Sequence, residues 1–250
     1  MGIELSKVYA VWLREVKRFT NSKSRMIGSL GQPLLFLVAL GGGLSAMMPG
    51  FNYQAYILPG ILAMSLLFTS IFSGVSIIWD REFGFLKEML VAPASRETIV
   101  IGRTLGGATT AIFQGIVILA LGILITGVPI PSPMHLAAMF VLMVAFSCFL
   151  VAVGIAIASL VQEVETFQLI MNLLVMPLFF LSNALFPMNQ MPGWLSTLSQ
   201  LNPISYAVDG LRLLLIGQGS FPLMLDIGVV GMVLVVSVAV SSYLFSKTSI

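Results

Sequence analysis

Six stretches of the chain are nearly unbroken apolar runs bounded by charge or by clusters of proline and glycine: residues 26–48, 56–79, 103–127, 135–160, 167–186 and 223–245. A helix needs roughly 20 predominantly apolar residues to cross a bilayer, and each run reaches about that length. Ahead of them, residues 3–20 follow a different pattern. Leu5, Val8, Tyr9, Trp12, Leu13, Val16 and Phe19 recur at helical spacing, and Lys7, Arg14, Glu15, Lys17 and Arg18 fall mostly on the other face. Such a helix lies in the headgroup plane, its apolar face in the acyl boundary and its cations toward anionic lipid. A soluble helix docked on another subunit has the same pattern. Asn21 and Ser22 then break it.

Composition agrees with the runs. Apolar residues make up 58% of the chain and charged residues 9%, with a mean hydropathy of +1.04. Soluble domains carry about a quarter charged residues. The expected fold is therefore all-α: one polytopic transmembrane domain with an amphipathic N-terminal helix and six transmembrane helices. The first run is too long for the apolar segment of a cleaved signal, and its basic leader is too long as well.

The basic residues set the expected orientation, because short loops rich in Lys and Arg stay in the cytoplasm. Lys7, Arg14, Lys17, Arg18, Lys23 and Arg25 precede the first run; Arg81, Lys87, Arg96 and Arg103 lie between the second and third; Lys247 follows the sixth. All share one side if both termini are cytoplasmic, and only Arg212 is left on the other. The net charge of +2 is small and scattered, which argues against a nucleic-acid partner.

Motifs of chemistry are missing. There is no GxxxxGK[ST] phosphate loop, since no lysine follows Gly41, Gly42 and Gly43, and neither HExxH nor GxSxG occurs. The single histidine, His135, has no second ligand at metal spacing, and the single cysteine, Cys148, has no disulfide partner in the chain. No enzyme activity and no bound cofactor or metal are expected. Glu163 and Glu165 sit between the fourth and fifth runs rather than at mid-depth, which argues against the intramembrane relay of an autonomous ion-coupled carrier.

One charged stretch interrupts the apolar pattern: residues 79–93, WDREFGFLKEMLVAP, hold Asp80, Arg81, Glu82, Lys87 and Glu88. As a short helix over 81–92 it presents Phe83, Leu86 and Leu90 on one face, beside Phe85 and Met89. Gly84 leaves room for a close approach, and Pro93 ends the helix. Apolar knobs on a solvated connector suit docking into another protein, although an interfacial helix packed under its own bundle has the same pattern.

Two motifs carry a resemblance. R-E-x-G-x-L-x-x-x-L-x-x-P, here Arg81, Glu82, Gly84, Leu86, Leu90 and Pro93, is similar to the first cytoplasmic loop of ABC-2 type permeases, the membrane subunits of ATP-binding cassette exporters. LNPxSYxxDGLR, here Leu201, Asn202, Pro203, Ser205, Tyr206, Asp209, Gly210, Leu211 and Arg212, resembles the daunorubicin-resistance type within that family. The resemblance implies a dimer of this chain, or of it with a similar permease, above two separate nucleotide-binding ATPase subunits that hold the ATP and Mg²⁺. It also implies that residues 81–92, with Lys87 among them, form a coupling helix, and that Glu163 and Glu165 occupy a second ATPase contact.

Residues 187–221 should then form a re-entrant external hairpin of short helices, one beginning at Asn202 or Pro203. Asp209 and Arg212, three residues apart, can pair, either buried or exposed. In the family the pathway follows the second and fifth spans, here Ser65, Thr69, Phe72 and Ser76 with Asn172, Met176, Phe179 and Asn183. Pro177 is positioned to kink the fifth span. Ordinary packing through small and hydroxyl residues accounts equally for any one of these positions. An exporter of drugs or other amphipathic compounds at the cell membrane is the first expectation, with lipid-linked glycan or lipid as alternative cargo. An autonomous carrier and a non-transport scaffold are the readings of a different class.

Overall fold

A computed structural model describes residues 4–47, 50–85 and 95–247, with residues 23–25 described through their backbone alone. Every regular element among the described residues is helical. Helix α1 (Leu5–Thr20) leads into α2 (Lys23–Phe36), which passes through a π-helical turn, Leu37–Gly41, into α3 (Gly42–Met47). Then come α4 (Tyr53–Ser73), α5 (Val75–Glu82), α6 (Arg96–Thr126), α7 (Pro133–Leu160), α8 (Val164–Phe180), α9 (Gly193–Leu201), α10 (Pro203–Ile216) and α11 (Leu223–Ser246).

Helix α4 is the hub. Ile57, Leu58, Ile61, Leu62, Leu66, Leu67 and Ile71 are wholly buried on all its sides, as expected of an apolar helix enclosed by others. Around it pack α2, α6, α7, α8 and α10, and α11 lies along α7. Contacts are backbone-close where side chains are absent. A Cβ at Gly74, between α4 and α5, would stand 2.5 Å from the carbonyl carbon and oxygen of Gly154 in α7, and a Cβ at Gly154 would collide with the Ile71 carbonyl oxygen. Without a hydrophobic drive between helices in lipid, such close approach is what holds them together.

Gly102 and Gly106 make a similar notch on α6, and α1 fills it. Val8 and Val11 lie over Gly102, and Trp12 and Glu15 over Gly106. The Trp12 indole donates to Thr109 Oγ1 at 3.0 Å, and Phe19 meets Phe113 edge-on. Helix α1 thus runs alongside α6 in the same direction, and part of its polar face turns to the bundle rather than to lipid.

Five described helical segments are long and apolar enough to cross a membrane: Met26–Met47, Tyr53–Glu82, Arg96–Thr126, Pro133–Leu160 and Leu223–Ser246. The expected fifth span differs. It is helical only as Val164–Phe180, 17 residues, or about 25 Å at the α-helical rise; residues 181–186 are turns. Helix α8 stops because its continuation serves as a set of acceptors. Tyr53 Oη donates to the Leu185 carbonyl at 2.7 Å, Tyr56 Oη to the Asn183 carbonyl at 3.3 Å, and Arg212 Nη2 to the same Asn183 carbonyl at 2.8 Å. The third span also begins earlier than expected. Ser95 caps α6 by accepting from the Thr98 amide, which places Arg103 inside a helix instead of at its edge.

Candidate functional site

At the end of the bundle where α5 terminates, Asp80 is 2% exposed. Its carboxylate accepts from Arg14 Nη1 at 3.0 Å and Arg14 Nη2 at 2.7 Å and from Arg103 Nη2, and Arg18 Nη1 lies 3.6 Å away. Arg103 also donates to Ser76 Oγ at 3.2 Å and stands 3.8 Å from Glu15. One carboxylate therefore joins α1, α5 and α6. The next residue reaches elsewhere: Arg81 Nη1 donates to the Val161 carbonyl at 2.8 Å, which ties α5 to the loop before Glu163 and Glu165. Both acids are exposed, and Glu163 accepts from the Thr166 hydroxyl.

Beyond this cluster, Glu82 is exposed, Phe83 is 72% exposed and Phe85 half-exposed under the Arg14 guanidinium, 5.6 Å from its ring centre. Around Gly84 no described atom lies within 4 Å of where its Cβ would be. Its φ of +80°, in the left-handed region that glycine alone enters freely, is the reason for glycine there. Leu86, Lys87, Leu90 and Pro93 lie outside the described residues.

Ser65, Thr69, Phe72 and Ser76 line one cavity of about 320 Å³ between α1, α2, α4 and α6. Within it Thr69 Oγ1 donates to Gln114 Oε1 at 2.8 Å, and Gln114 Nε2 donates to the Ser29 carbonyl at 2.9 Å. The matching residues of the expected fifth span do not join them. Asn172 and Met176 are exposed on the outer face of α8, Phe179 is in the core, and Asn183 is buried in the turn, its Nδ2 donating to Asp209 at 3.0 Å. Helix α8 packs on the bundle through Phe167, Met171, Val175 and Phe179, with Ile170, Leu174 and Leu178 partly buried beside them, so Asn172 and Met176, one position beyond Met171 and Val175, face outward.

At the opposite end, α9 and α10 meet at Asn202, whose side chain caps α10 by accepting from the Ile204 amide at 3.0 Å. Its Nδ2 donates to the Leu178 carbonyl at the end of α8, so the tip of this hairpin points into the bundle. Pro203 is the first residue of α10, as suits a position whose amide needs no partner. Tyr206 donates to the Gln200 carbonyl at 2.7 Å and stacks on Phe221.

Asp209 and Arg212 are buried, at 0% and 2% exposure. They lie only 4.0 Å apart, yet each is satisfied mainly by backbone. Asp209 accepts from the amides of Ser220 and Phe221 at 2.8 to 2.9 Å. Arg212 donates to the carbonyls of Asn183, Ala184 and Tyr56 and sits 4.1 Å over the Tyr56 ring. A charge buried in lipid-facing structure needs such partners.

Sequence reasoning missed the Asp80 cluster. The available signal was Arg103, a cation at the start of an apolar run, which required a carboxylate nearby. It also missed Gln114, a polar side chain in mid-span that links α6 to α2 and α4.

The chain is similar along most of its length to transport proteins. It is 34% identical to the ycf38 protein of Cyanophora paradoxa over 216 residues, covering 80% of this chain and 72% of that protein. Against Nodulation protein J of Rhizobium leguminosarum bv. viciae it is 27% identical, over 95% of this chain and 93% of the relative. Against the inner membrane transport permease YadH of Escherichia coli (strain K12) it is 28% identical, over 88% and 87%. The family model for ABC-2 type transporters matches residues 6–216, a stretch that takes in α1, the hub helix and the Asn202–Arg212 hairpin, and the chain belongs to the ABC-2 type transporter family.

Proposed function

We infer that this chain, paired with a second copy or a similar permease, forms the translocation pathway of an ATP-driven exporter. Two separate nucleotide-binding ATPase subunits, holding ATP and Mg²⁺, dock on residues 81–92 and on the start of α8 at Glu163 and Glu165. In this reading the Asp80 end and both termini face the cytoplasm of a cell with the protein in its plasma membrane, and the Asn202–Arg212 hairpin caps the far side. Asn172 and Met176, outward on α8, meet the second copy beside the Ser65, Thr69, Phe72 and Ser76 face. The cargo is a drug or another amphipathic compound, in keeping with a path that sets Phe68 and Phe72 among hydroxyls and amides, with Glu15 and Arg18 at its α1 edge.

The observation that carries the coupling role is the set of direct bonds leading from that stretch into the bundle: Asp80 to Arg14 and Arg103, and Arg81 to Val161. Force applied at Phe83 and its neighbours thereby reaches α1, α6 and the α7–α8 loop as one unit. An ATPase shifts a conformational equilibrium only if it binds the two states with different affinity, and a bonded cluster makes movement of the docking element inseparable from movement of the helices.

Co-expression with an ATPase partner and affinity purification tests this reading. The complex should co-purify and show ATP-stimulated efflux, and Glu82→Arg combined with Leu86→Asp should abolish both while the permease still folds. Efflux that persists in the double variant, or transport driven by a proton gradient in the lone chain, overturns it.

A lipid-linked glycan is the second cargo reading. It is favoured by a pocket of about 520 Å³ at the hairpin end lined by Phe51 and Tyr56 together with Asn189, Gln190 and Gln218, since aromatic faces and planar amides suit sugar rings. Glycan-dependent stimulation of ATP hydrolysis, lost in Tyr56→Ala, would select it over a drug.

A further inference from the structure

The first span departs from regular α-helical bonding at two places. Pro33 lies inside α2 and has no N–H to give to the carbonyl four residues before it, that of Ser29. Four residues further on, the chain enters the π-helical turn Leu37–Gly41. Prolines and π turns both bend helices, and π turns recur at functional sites.

The Ser29 carbonyl finds its partner on another helix. Gln114, in the middle of α6 and 3% exposed, donates to it through Nε2 at 2.9 Å, while its Oε1 accepts from Thr69 of α4 at 2.8 Å. One amide thus joins the first three spans where α2 is weakest. The two halves of the first span are held unequally. At the π turn Leu37 is wholly buried, a Cβ at Gly41 would stand 2.8 Å from Gln54 Cγ, and the Gln54 amide donates to Ser45 Oγ at 2.9 Å. On the other side of Pro33, Ile27 is 72% exposed, and no described atom lies within 4 Å of a Cβ at Gly28 or Gly31. Yet Gly28, Ser29 and Pro33 form one wall of the cavity of about 320 Å³ that holds Ser65 and Thr69.

We propose that this half of the first span is a side gate to the cavity. It swings at Pro33 and the Leu37–Gly41 turn, the Gln114–Ser29 hydrogen bond latches it shut, and release of that bond opens the seam between α2 and α6 to the hydrocarbon of the bilayer. Proline leaves a backbone carbonyl where a latch can take it, and the Gln114 amide is neutral, so the bond breaks within the membrane without exposing a charge. The gate deepens the transport reading, and rests on it, in naming a sideways entry for amphipathic cargo. The opening itself belongs to the lone chain and is measured without ATPase or cargo.

The test places a single thiol in the cavity, Ser65→Cys in a Cys148→Ala background, with the full chain in lipid nanodiscs. Ser65 is 1% exposed, so a thiol there reports opening rather than surface access. Labelling by N-ethylmaleimide, a neutral reagent that enters bilayers, is followed by mass spectrometry and should be slow while the latch is intact. Gln114→Leu should raise the rate about ten-fold, the change in open population expected from losing two interhelical hydrogen bonds, and should leave labelling by a sulfonated, membrane-impermeant thiol reagent unchanged. Pro33→Ala supplies the missing amide to Ser29. On its own it should not raise the rate, and added to Gln114→Leu it should return labelling most of the way to the parent value, a rescue that a misfolded protein would not show. An unchanged rate in Gln114→Leu, an equal rise with the sulfonated reagent, or a double variant as fast as Gln114→Leu alone overturns the gate. Each of these outcomes leaves the transport reading standing, since that reading is tested by ATPase co-purification and efflux.

Discussion

The guanidinium of Arg14 meets the carboxylate of Asp80 fork to fork, through hydrogen bonds of 3.0 and 2.7 Å that cross 66 positions of sequence. Bidentate pairing fixes orientation as well as distance, so the amphipathic first helix is locked to the residue from which the charged stretch departs. Arg103 holds the same carboxylate from the buried side.

Asp80→Asn should therefore be among the most damaging single changes in the chain. It leaves Arg103, 3% exposed, with the more distant Glu15 carboxylate at 3.8 Å in place of a hydrogen-bonded one, at a cost of about 3 kcal/mol. Arg14→Gln, which removes the more exposed partner, should cost only about 1 kcal/mol. Thermal unfolding in detergent measures both, and equal losses would show that the cluster is solvated throughout.

Gly154→Leu forces apart two helices whose backbones touch at Gly74 and Ile71. Overpacking of this kind costs about 1–3 kcal/mol or more, and here no flexible side chain can give way. The expected result is a lower unfolding temperature and aggregation on gel filtration. Gly28→Leu, on an open face, should show neither.

Arg212→Lys should destabilise the protein although charge is kept. A guanidinium reaches the carbonyls of Asn183, Ala184 and Tyr56 together, whereas an ammonium is a point donor. About 2 kcal/mol is expected from the lost bonds. Tyr56→Phe, which removes one 3.3 Å hydrogen bond, should cost about 1 kcal/mol or less. Limited proteolysis in the turn at residues 181–186 should increase in the lysine variant, because Arg212 holds those carbonyls.

Phe83→Asp changes a side chain that is 72% exposed, so the isolated permease should unfold at the same temperature within about 0.5 kcal/mol. If the ring is a docking knob, co-purification of the ATPase should fall about ten-fold, the effect of losing one interface anchor. Unchanged association would remove Phe83 from the contact.

The apolar runs were legible because the requirement behind them is compositional: a helix in lipid must be apolar over a fixed length. The Asn202–Arg212 motif was legible as a helix start because Asn and Pro act locally, through one side-chain acceptor and one fixed φ. Burial of Asp209 and Arg212 was not legible, since an (i, i+3) pair reads the same in water and in a bundle. The helix end within the fifth run was not legible for a similar reason. Residues 181–186 are as apolar as a helix would be, but their carbonyls are claimed by Tyr53, Tyr56 and Arg212 from distant positions.

Sequence alone determined that this protein is a bundle of membrane helices with one charged interruption and a helix starting at Asn202–Pro203, because length, hydropathy and local caps set those features within a single segment. Tertiary structure decided where the charges go. Arg14, Asp80 and Arg103 form one cluster, Ser65 and Gln114 face one cavity, and Arg212 sits on a broken helix end. Each follows from which helices approach closely enough for side chains far apart in sequence to satisfy one another, and that is set by packing at glycine notches such as Gly74–Gly154 and Gly102–Gly106 rather than by any local pattern.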